Sequence, residues 1–157
     1  HALSLPFARR LAPAAPVVLR VVVGLVMAVH GWQKLTQMGP ATFGEGMLAA
    51  QGLPAPVLLG WVVTLVELVG GVLLMVGLLT RVSSALIALV LLGATLLVKV
   101  DLGLIAPTGS QLPGAELDLA LIAGAVAVLL LGPGRPSVDH AVGIEREVPV
   151  LDAPAAA

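Results

Sequence analysis

The stretch PVLLGWVVTLVELVGGVLLMVGLL, residues 56–79, decides the fold of this chain. After Pro56 it contains 23 residues of almost unbroken apolar sequence, and one ionisable residue, Glu67, lies close to its middle. A helix of this length, rising about 1.5 Å per residue, crosses a hydrocarbon layer of roughly 30 Å. A carboxylate at that depth is costly unless it is protonated, paired or turned toward a polar interior. We therefore expect the rest of the chain to form a helical bundle around Glu67.

The composition of the whole chain is that of an integral membrane protein. Of its 157 residues, 59% are hydrophobic and 11% are charged, and the mean hydropathy is +1.09. Soluble globular domains are far more polar. The net charge of −1 offers no basic face to neutralise phosphates, so no nucleic-acid partner is predicted. The absence of cysteine excludes thiolate-bound iron–sulfur clusters and Cys-rich zinc sites on this chain.

The apolar runs predict four membrane-spanning helices in one domain, residues 16–133. The predicted helices cover about 16–35, 57–79, 82–100 and 116–132, the last being short for a span. A segment at about 41–51, broken by glycine and proline, is predicted to be an interfacial or re-entrant helix. Short connections favour up-down-up-down topology. The predicted fold class is therefore all-α, an integral membrane antiparallel four-helix bundle.

The distribution of lysine and arginine predicts the orientation in the membrane. If the N-terminus is cytoplasmic, six arginines lie on the inner side, whereas Lys34 and Lys99 lie on the outer side. Cytoplasmic segments carry the excess of basic residues in membrane proteins. We therefore predict a multi-pass protein of a plasma (inner) membrane, with residues 1–15 as a cytoplasmic N-terminal arm and residues 134–157 as a cytoplasmic tail.

This topology collects ionisable residues in the outer half of the bundle. His30 lies one helical turn deeper than Lys34, and Glu67 lies near mid-depth. The candidates for ligand binding or proton handling are Glu67, His30, Lys34, Lys99, Glu116 and Asp118. The candidates for a structural charge are Arg20, Arg81 and Asp101. No catalytic residue can be named, and no spacing typical of metal ligands occurs.

Small and polar residues share helical faces with several of these charges. On the first helix one stripe contains Arg20, Gly24, Met27, Gly31 and Lys34. The face of Glu67 on the second helix also carries Gly60, Thr64 and Gly71, and the third helix aligns Ser84, Ala88, Thr95 and Lys99. Close helix–helix contact in lipid requires such residues, so we expect these stripes to face inward.

Each candidate also has a purely structural interpretation. Glu67 could be a protonated carboxyl that is hydrogen-bonded to a neighbouring helix, and His30 could be a packing residue. Lys34 and Lys99 could extend their ammonium groups to the interface, as could the guanidinium of Arg20. The acids that open the fourth helix belong to a first turn, where acids are generally favoured.

Several short motifs occur in an order and spacing that resemble the DoxX family of small four-helix bacterial membrane proteins. They are HGWQKL (30–35), Glu67 with Gly70 and Gly71, GLLTR (77–81), the acids at 116–118 and GPGRPSVD (132–139). The resemblance covers about residues 16–140. It implies a bacterial plasma-membrane protein that works beside redox enzymes, since the family is named after a subunit associated with a quinol oxidase and thiosulfate:quinone oxidoreductase. It marks Lys34, Glu67, Arg81 and the acidic start of the last helix, without specifying their chemistry.

The residues and the resemblance together predict a DoxX-like inner-membrane subunit that binds a quinone or similar amphiphile. No covalently bound cofactor is expected, and the expected partners are membrane lipids and other membrane or membrane-associated redox subunits. Glu67 and His30 would exchange protons or hydrogen bonds with the ligand's oxygens, while Lys34 or Lys99 would set the charge state of the carboxyl. One alternative is a non-catalytic structural or assembly subunit of a larger complex. Another is a small proton-coupled transporter in which Glu67 titrates.

Overall fold

The computed structural model describes residues 6–110 and 113–145, and within these ranges all the regular elements are helical. Residues 1–5 of the predicted arm and 146–157 of the predicted tail lie outside the described residues. We number the helices α1 (Pro6–Leu11), α2 (Ala12–Met38), α3 (residues 40–48), α4 (Pro56–Val76), α5 (Thr80–Leu102), α6 (Glu116–Leu131) and α7 (Val138–Ala141). Among them, α2, α4 and α5 are long and apolar enough to cross a membrane. Helix α6 has 16 residues.

Residues with left-handed backbone set the ends of the long helices. Helix α2 ends before Gly39, with φ of 84°, and α4 ends before Gly77, with φ of 73°. The sequence predicted a second helix extending to Leu79. The structure ends it at Val76, because Gly77 and Leu79 (φ of 49°) both leave the right-handed helical region. Helix α5 then begins at Thr80, two residues earlier than predicted.

Glycines bring the backbones of α2 and α4 into direct contact. A Cβ atom added to Gly24 would lie 2.6 Å from the carbonyl oxygen of Gly71, and one added to Gly71 would lie 2.6 Å from the amide nitrogen of Ala28. A Cβ atom on Gly31 would lie 2.4 Å from the amide nitrogen of Leu68. These distances leave no room for a side chain, so the glycine stripes are the contact surface of the two helices.

The apolar core lies where α2, α4, α5 and α6 meet. Helix α6 packs mainly against α5 and also against α2, and α2 packs against α4. The core residues are Val23, Met27, Leu74, Ile87, Leu91, Leu121, Ala125 and Val128.

Helix α3 lies against the first turns of α4. A Cβ atom on Gly44 would lie 2.2 Å from the carbonyl oxygen of Pro56, and one on Gly60 would lie 2.2 Å from that of Pro40. This backbone contact fixes α3 in the region where the sequence predicted an interfacial or re-entrant helix. Phe43 of α3 is buried.

Four stretches of the helices are wound as π-helix instead of α-helix, and the sequence did not predict them. They are Lys34–Met38, Gly44–Leu48, Val66–Gly70 and Thr95–Lys99. Three of the four contain a charged residue that was singled out as a site candidate, namely Lys34, Glu67 or Lys99. A π-turn re-aims the side chains around it and is frequent at functional sites.

At the end of the bundle where α4 ends and α5 begins, the segment after α6 folds back and caps α5. The two carboxylate oxygens of Asp139 accept hydrogen bonds from the amides of Leu79 (2.8 Å) and Thr80 (2.9 Å). The amide of Asp139 donates to the carbonyl of Gly77 at 2.8 Å. Asp139 therefore satisfies the first free amides of α5, which have no partner within their own helix.

Arg20 is enclosed at the same end, and its head group does not reach outward as one interpretation of the sequence had it. The residue is 3% exposed. Its Nε donates to the carbonyl of Pro133 at 2.9 Å and its Nη1 to that of Leu74 at 3.3 Å, and the guanidinium also bonds the carbonyls of Met75 and Pro136. The guanidinium is held inside because it satisfies carbonyls from two separate parts of the chain, the end of α4 and the segment after α6.

Candidate functional site

Two buried ion pairs link the helices at the end opposite to Arg20. Lys34 Nζ of α2 lies 2.5 Å from Glu67 Oε2 of α4, and Lys99 Nζ of α5 lies 2.7 Å from Asp118 Oδ1 of α6. The side chains of both acids are 6% exposed. A carboxylate removed from water in this way requires a charged or hydrogen-bonding partner, and each lysine supplies both.

Both pairs border one cavity of about 800 Å³, which we call the paired-charge cleft. Most of its wall is apolar and comes from α3, α4 and α5, with Met47, Val63 and Leu97 among the contributors. Its ionisable residues are His30, Lys34, Glu67, Lys99 and Asp118. A mostly apolar cavity with a few convergent polar groups is the usual form of a small-molecule site.

Further contacts fix the polar groups of the cleft. Thr95 Oγ1 donates to the carbonyl of Leu91 at 2.9 Å and lies 3.3 Å from Asp118 Oδ2. Lys34 Nζ lies 5.3 Å from the centre of the Phe43 ring, a cation–π distance. His30 lines the same cavity, within electrostatic reach of both lysines and of Asp118. The Lys34 ammonium is thus in contact with both Glu67 and Phe43, and the Asp118 carboxylate with both Lys99 and Thr95.

The remaining predicted site residues lie outside this cleft. Glu116 is exposed in the first turn of α6, where Asp118, two residues later, faces inward. Asp101 is also exposed. Arg81 belongs to the opposite end, where its Nη2 lies 2.7 Å from Glu145 Oε1 and its Nη1 donates to the carbonyl of Leu129.

Reasoning from the sequence missed two groups of residues. The apolar residues Phe43, Met47 and Leu48 of α3 line the cleft, and their helical spacing was the signal that could have suggested it. Asp139 caps α5 from α7, a helix of four residues that is too short for a periodic pattern to point to it. Only its position within GPGRPSVD marked that segment as distinctive.

Among residues 6–110 and 113–145, no three His, Cys, Asp or Glu side chains form a group that could hold a metal ion. The polar side chains of the described cleft are two ammonium groups, one imidazole, the amides of Gln33 and Gln37, and the carboxylates that hold the ammonium groups. This donor set suits a small ligand with oxygen acceptors.

The fold and the cleft define an all-helical integral membrane protein with a charged pocket between its helices. The sequence model of DoxX matches residues 15–100, a range that contains Lys34, Glu67 and Lys99. The chain belongs to the DoxX family.

Two relatives support this assignment. The chain is 33% identical over 134 residues to "Uncharacterized membrane protein Rv3486" of Mycobacterium tuberculosis, covering 82% of this chain and 81% of that protein. It is 35% identical over 122 residues to "Putative oxidoreductase CatD" of Bacillus subtilis, covering 77% of this chain and 81% of that protein. No solved structure matches this chain.

Proposed function

We propose that this protein is a bacterial plasma-membrane subunit that works beside redox enzymes and binds a quinone or a similar amphiphile in the paired-charge cleft. The observation that carries the proposal is the cleft itself, in which two buried lysine–carboxylate pairs border a mostly apolar cavity of about 800 Å³. Charges inside a membrane protein generally mark a ligand, ion or proton site. The name of the Bacillus subtilis relative supports the redox context.

The proposed architecture is an antiparallel bundle in which α2, α4, α5 and α6 cross the membrane with both termini in the cytoplasm. Contacts between α2 and α4 support opposite directions, since Arg20 meets Met75 whereas Gly31 meets Leu68. Helix α6 would rise about 24 Å over its 16 residues, so the bilayer would thin locally or flanking residues would complete the span. Exposed apolar side chains, such as Leu89 and Leu130, would contact lipid.

The residues of the cleft fit a quinone in size and chemistry. The two carbonyl oxygens of a quinone ring accept hydrogen bonds, and Lys34, Lys99 and His30 supply donors along the wall of the cavity. The apolar walls suit a hydrocarbon tail. When bound, a quinone supplies two-electron, two-proton redox chemistry. Glu67 and Asp118 would orient the two ammonium groups and would accept hydrogen bonds from ligand hydroxyls.

The test is mass spectrometry of the small molecules that co-purify with gently solubilised protein. We would compare the wild type with Glu67→Gln, Gly93→Leu and Glu116→Gln. Gly93 lines the cleft, and a Cβ atom added there meets nothing within 4 Å, so a leucine side chain would occupy part of the cavity without removing a charged group. Glu116→Gln is the same chemical change as Glu67→Gln at an exposed position outside the cleft.

We expect the wild type and Glu116→Gln to retain a quinone or similar amphiphile, and both cleft variants to lose it by at least about tenfold, equivalent to the loss of about 1.4 kcal/mol of binding free energy. Size-exclusion chromatography would establish that each variant is folded and monodisperse. Equal retention by all four proteins would contradict binding in the cleft.

The second candidate function is a non-catalytic assembly subunit. It is favoured by the apolar end of α6, where Leu130 and Leu131 are both strongly exposed on the shortest of the four proposed spans. In that case the same partner proteins would co-purify with the wild type and with Glu67→Gln, and no small molecule would distinguish the two.

A further inference from the structure

A second cleft, of about 650 Å³, opens at the other end of the helices. We call it the basal cleft. It lies between the end of α1, the starts of α2 and α5, the end of α6 and the segment that follows α6. Its polar wall consists of Arg10, Arg81, Arg135, His140 and Glu145. It shares no lining residue with the paired-charge cleft.

The lining of the basal cleft is rich in guanidinium groups. It contains three of them and one carboxylate, that of Glu145. Arg81 donates two hydrogen bonds to the carboxylate of Glu145, of 2.7 and 3.2 Å. Arg10 and Arg135 are both exposed at the opening. Guanidinium groups bind phosphate oxygens in a bidentate manner, which makes such a cluster suitable for a phosphate.

The position of the cleft indicates where that phosphate would come from. Helix α2 begins and α6 ends at this level, so the arginines lie where membrane-spanning segments reach the headgroup region. Apolar side chains stand beside them, since Leu11 and Leu131 line the cleft and are 62% and 61% exposed. A phospholipid presents the same combination, with a charged phosphate next to apolar acyl chains. Basic pockets at this depth are typical binding sites for acidic lipid headgroups.

We infer that the basal cleft binds the phosphate headgroup of an anionic phospholipid. Arg10 and Arg135 bind the phosphate at the opening, and Arg81 binds it from within when Glu145 releases it. Leu11 and Leu131 contact the start of the acyl chains. This inference is independent of the proposed quinone site, because it concerns different residues at the other end of α2.

The experiment is native mass spectrometry of the full chain, titrated with phosphatidylglycerol or with phosphatidylcholine. We expect the wild type to retain phosphatidylglycerol about tenfold better than phosphatidylcholine. The double variant Arg10→Gln/Arg135→Gln should reduce that retention by about 10- to 30-fold, since each basic group near the headgroups contributes a factor of several. Glu116→Gln, at an exposed acid remote from the cleft, is the matched control and should leave it unchanged.

Glu145→Gln provides a test of opposite sign. Removing this carboxylate frees Arg81 and raises the net charge of the cleft, so phosphatidylglycerol retention should increase several-fold. Because this variant must gain binding, the result cannot be mimicked by a loss of folding.

Two outcomes would overturn the inference. One is equal retention of the two lipids by the wild type, with no effect of Arg10→Gln/Arg135→Gln. The other is displacement of phosphatidylglycerol by millimolar inorganic phosphate, which would show that the cleft recognises a free anion and gains nothing from the acyl chains. A lack of competition by inorganic phosphate supports the lipid as the ligand.

Discussion

The two ends of the long helices stabilise buried charge in different ways. At one end Glu67 and Asp118 pair with lysines beside a cavity. At the other end Arg20 and Asp139 bond backbone carbonyls and amides, and they tie the segment after α6 to α2, α4 and α5. Charge bonded to backbone holds separate parts of the chain together, whereas the charge paired beside a cavity is the charge that we propose to contact a ligand.

This difference has a physical basis. Backbone groups at a helix end are held in place by the helix itself. A side chain that bonds them therefore cannot leave without leaving buried polar atoms unpaired. A lysine–carboxylate pair is held by two side chains with rotational freedom, and the lysine of each pair keeps partial exposure toward the cleft. Substitutions at the two ends should therefore separate stability from ligand binding.

The largest effect is expected for Arg20→Met. The substitution leaves the carbonyls of Pro133, Met75 and Pro136 without their donor, and each unsatisfied buried group costs about 1–3 kcal/mol. The carbonyl of Leu74 keeps its hydrogen bond from the amide of Gly77. Thermal unfolding in detergent should show a large loss of stability, and Arg20→Lys should restore only part of it because an ammonium lacks the planar fork. An unchanged unfolding temperature would contradict a structural function for Arg20.

The next effect concerns the Lys34–Glu67 pair. Each of Lys34→Met and Glu67→Gln breaks a buried pair and should cost about 3–5 kcal/mol in the free energy of unfolding, whereas the double variant should cost less because no charge remains unpaired. Ligand retention should be lost in all three variants. Recovery of both stability and ligand retention in the double variant would mean that the pair is purely structural.

A smaller effect is expected for Gly71→Ala, where the added Cβ overlaps the backbone of α2 at 2.6 Å. Overpacking of this kind costs about 1–3 kcal/mol and should move α4 away from α2, which also weakens the neighbouring Lys34–Glu67 pair. Gly46→Ala is the control, since its Cβ meets nothing within 4 Å. Unfolding in detergent should separate the two variants, and equal stability would contradict the close contact.

The smallest effect concerns Glu145 at the basal cleft. The hydrogen bond from Arg81 lowers the pKa of Glu145 below its ordinary value. Since the folded pKa is lower than the unfolded one, near 4.3, the contact stabilises the fold above that pH and is lost as the pH falls through the folded pKa. The pair is partly exposed, so the effect should stay below about 1 kcal/mol. In the wild type, the protection of the α7 amides against hydrogen exchange should decrease as the pH is lowered. This decrease should be absent in Glu145→Gln.

Much of the fold could be predicted from the sequence, and the comparisons confirm the DoxX resemblance. Hydropathy and helical periodicity are local properties, so they indicated the helices and the inward stripe of Arg20, Gly24 and Gly31, all of which are buried. The helix ends differ by a few residues where glycines terminate the helices. The quinone ligand and the orientation in the membrane stay predictions.

The sequence by itself determined that the chain is a helical membrane protein and which residue types its interior had to accommodate. The tertiary structure alone decided which lysine meets which acid, because the partners are 33 and 19 residues apart in the chain. It also separated Asp118, which faces the cleft, from Glu116, which is exposed. Which side chains pair between two helices depends on how each helix is rotated about its own axis. That rotation is set by contacts such as Gly31 against Leu68, which no local pattern encodes.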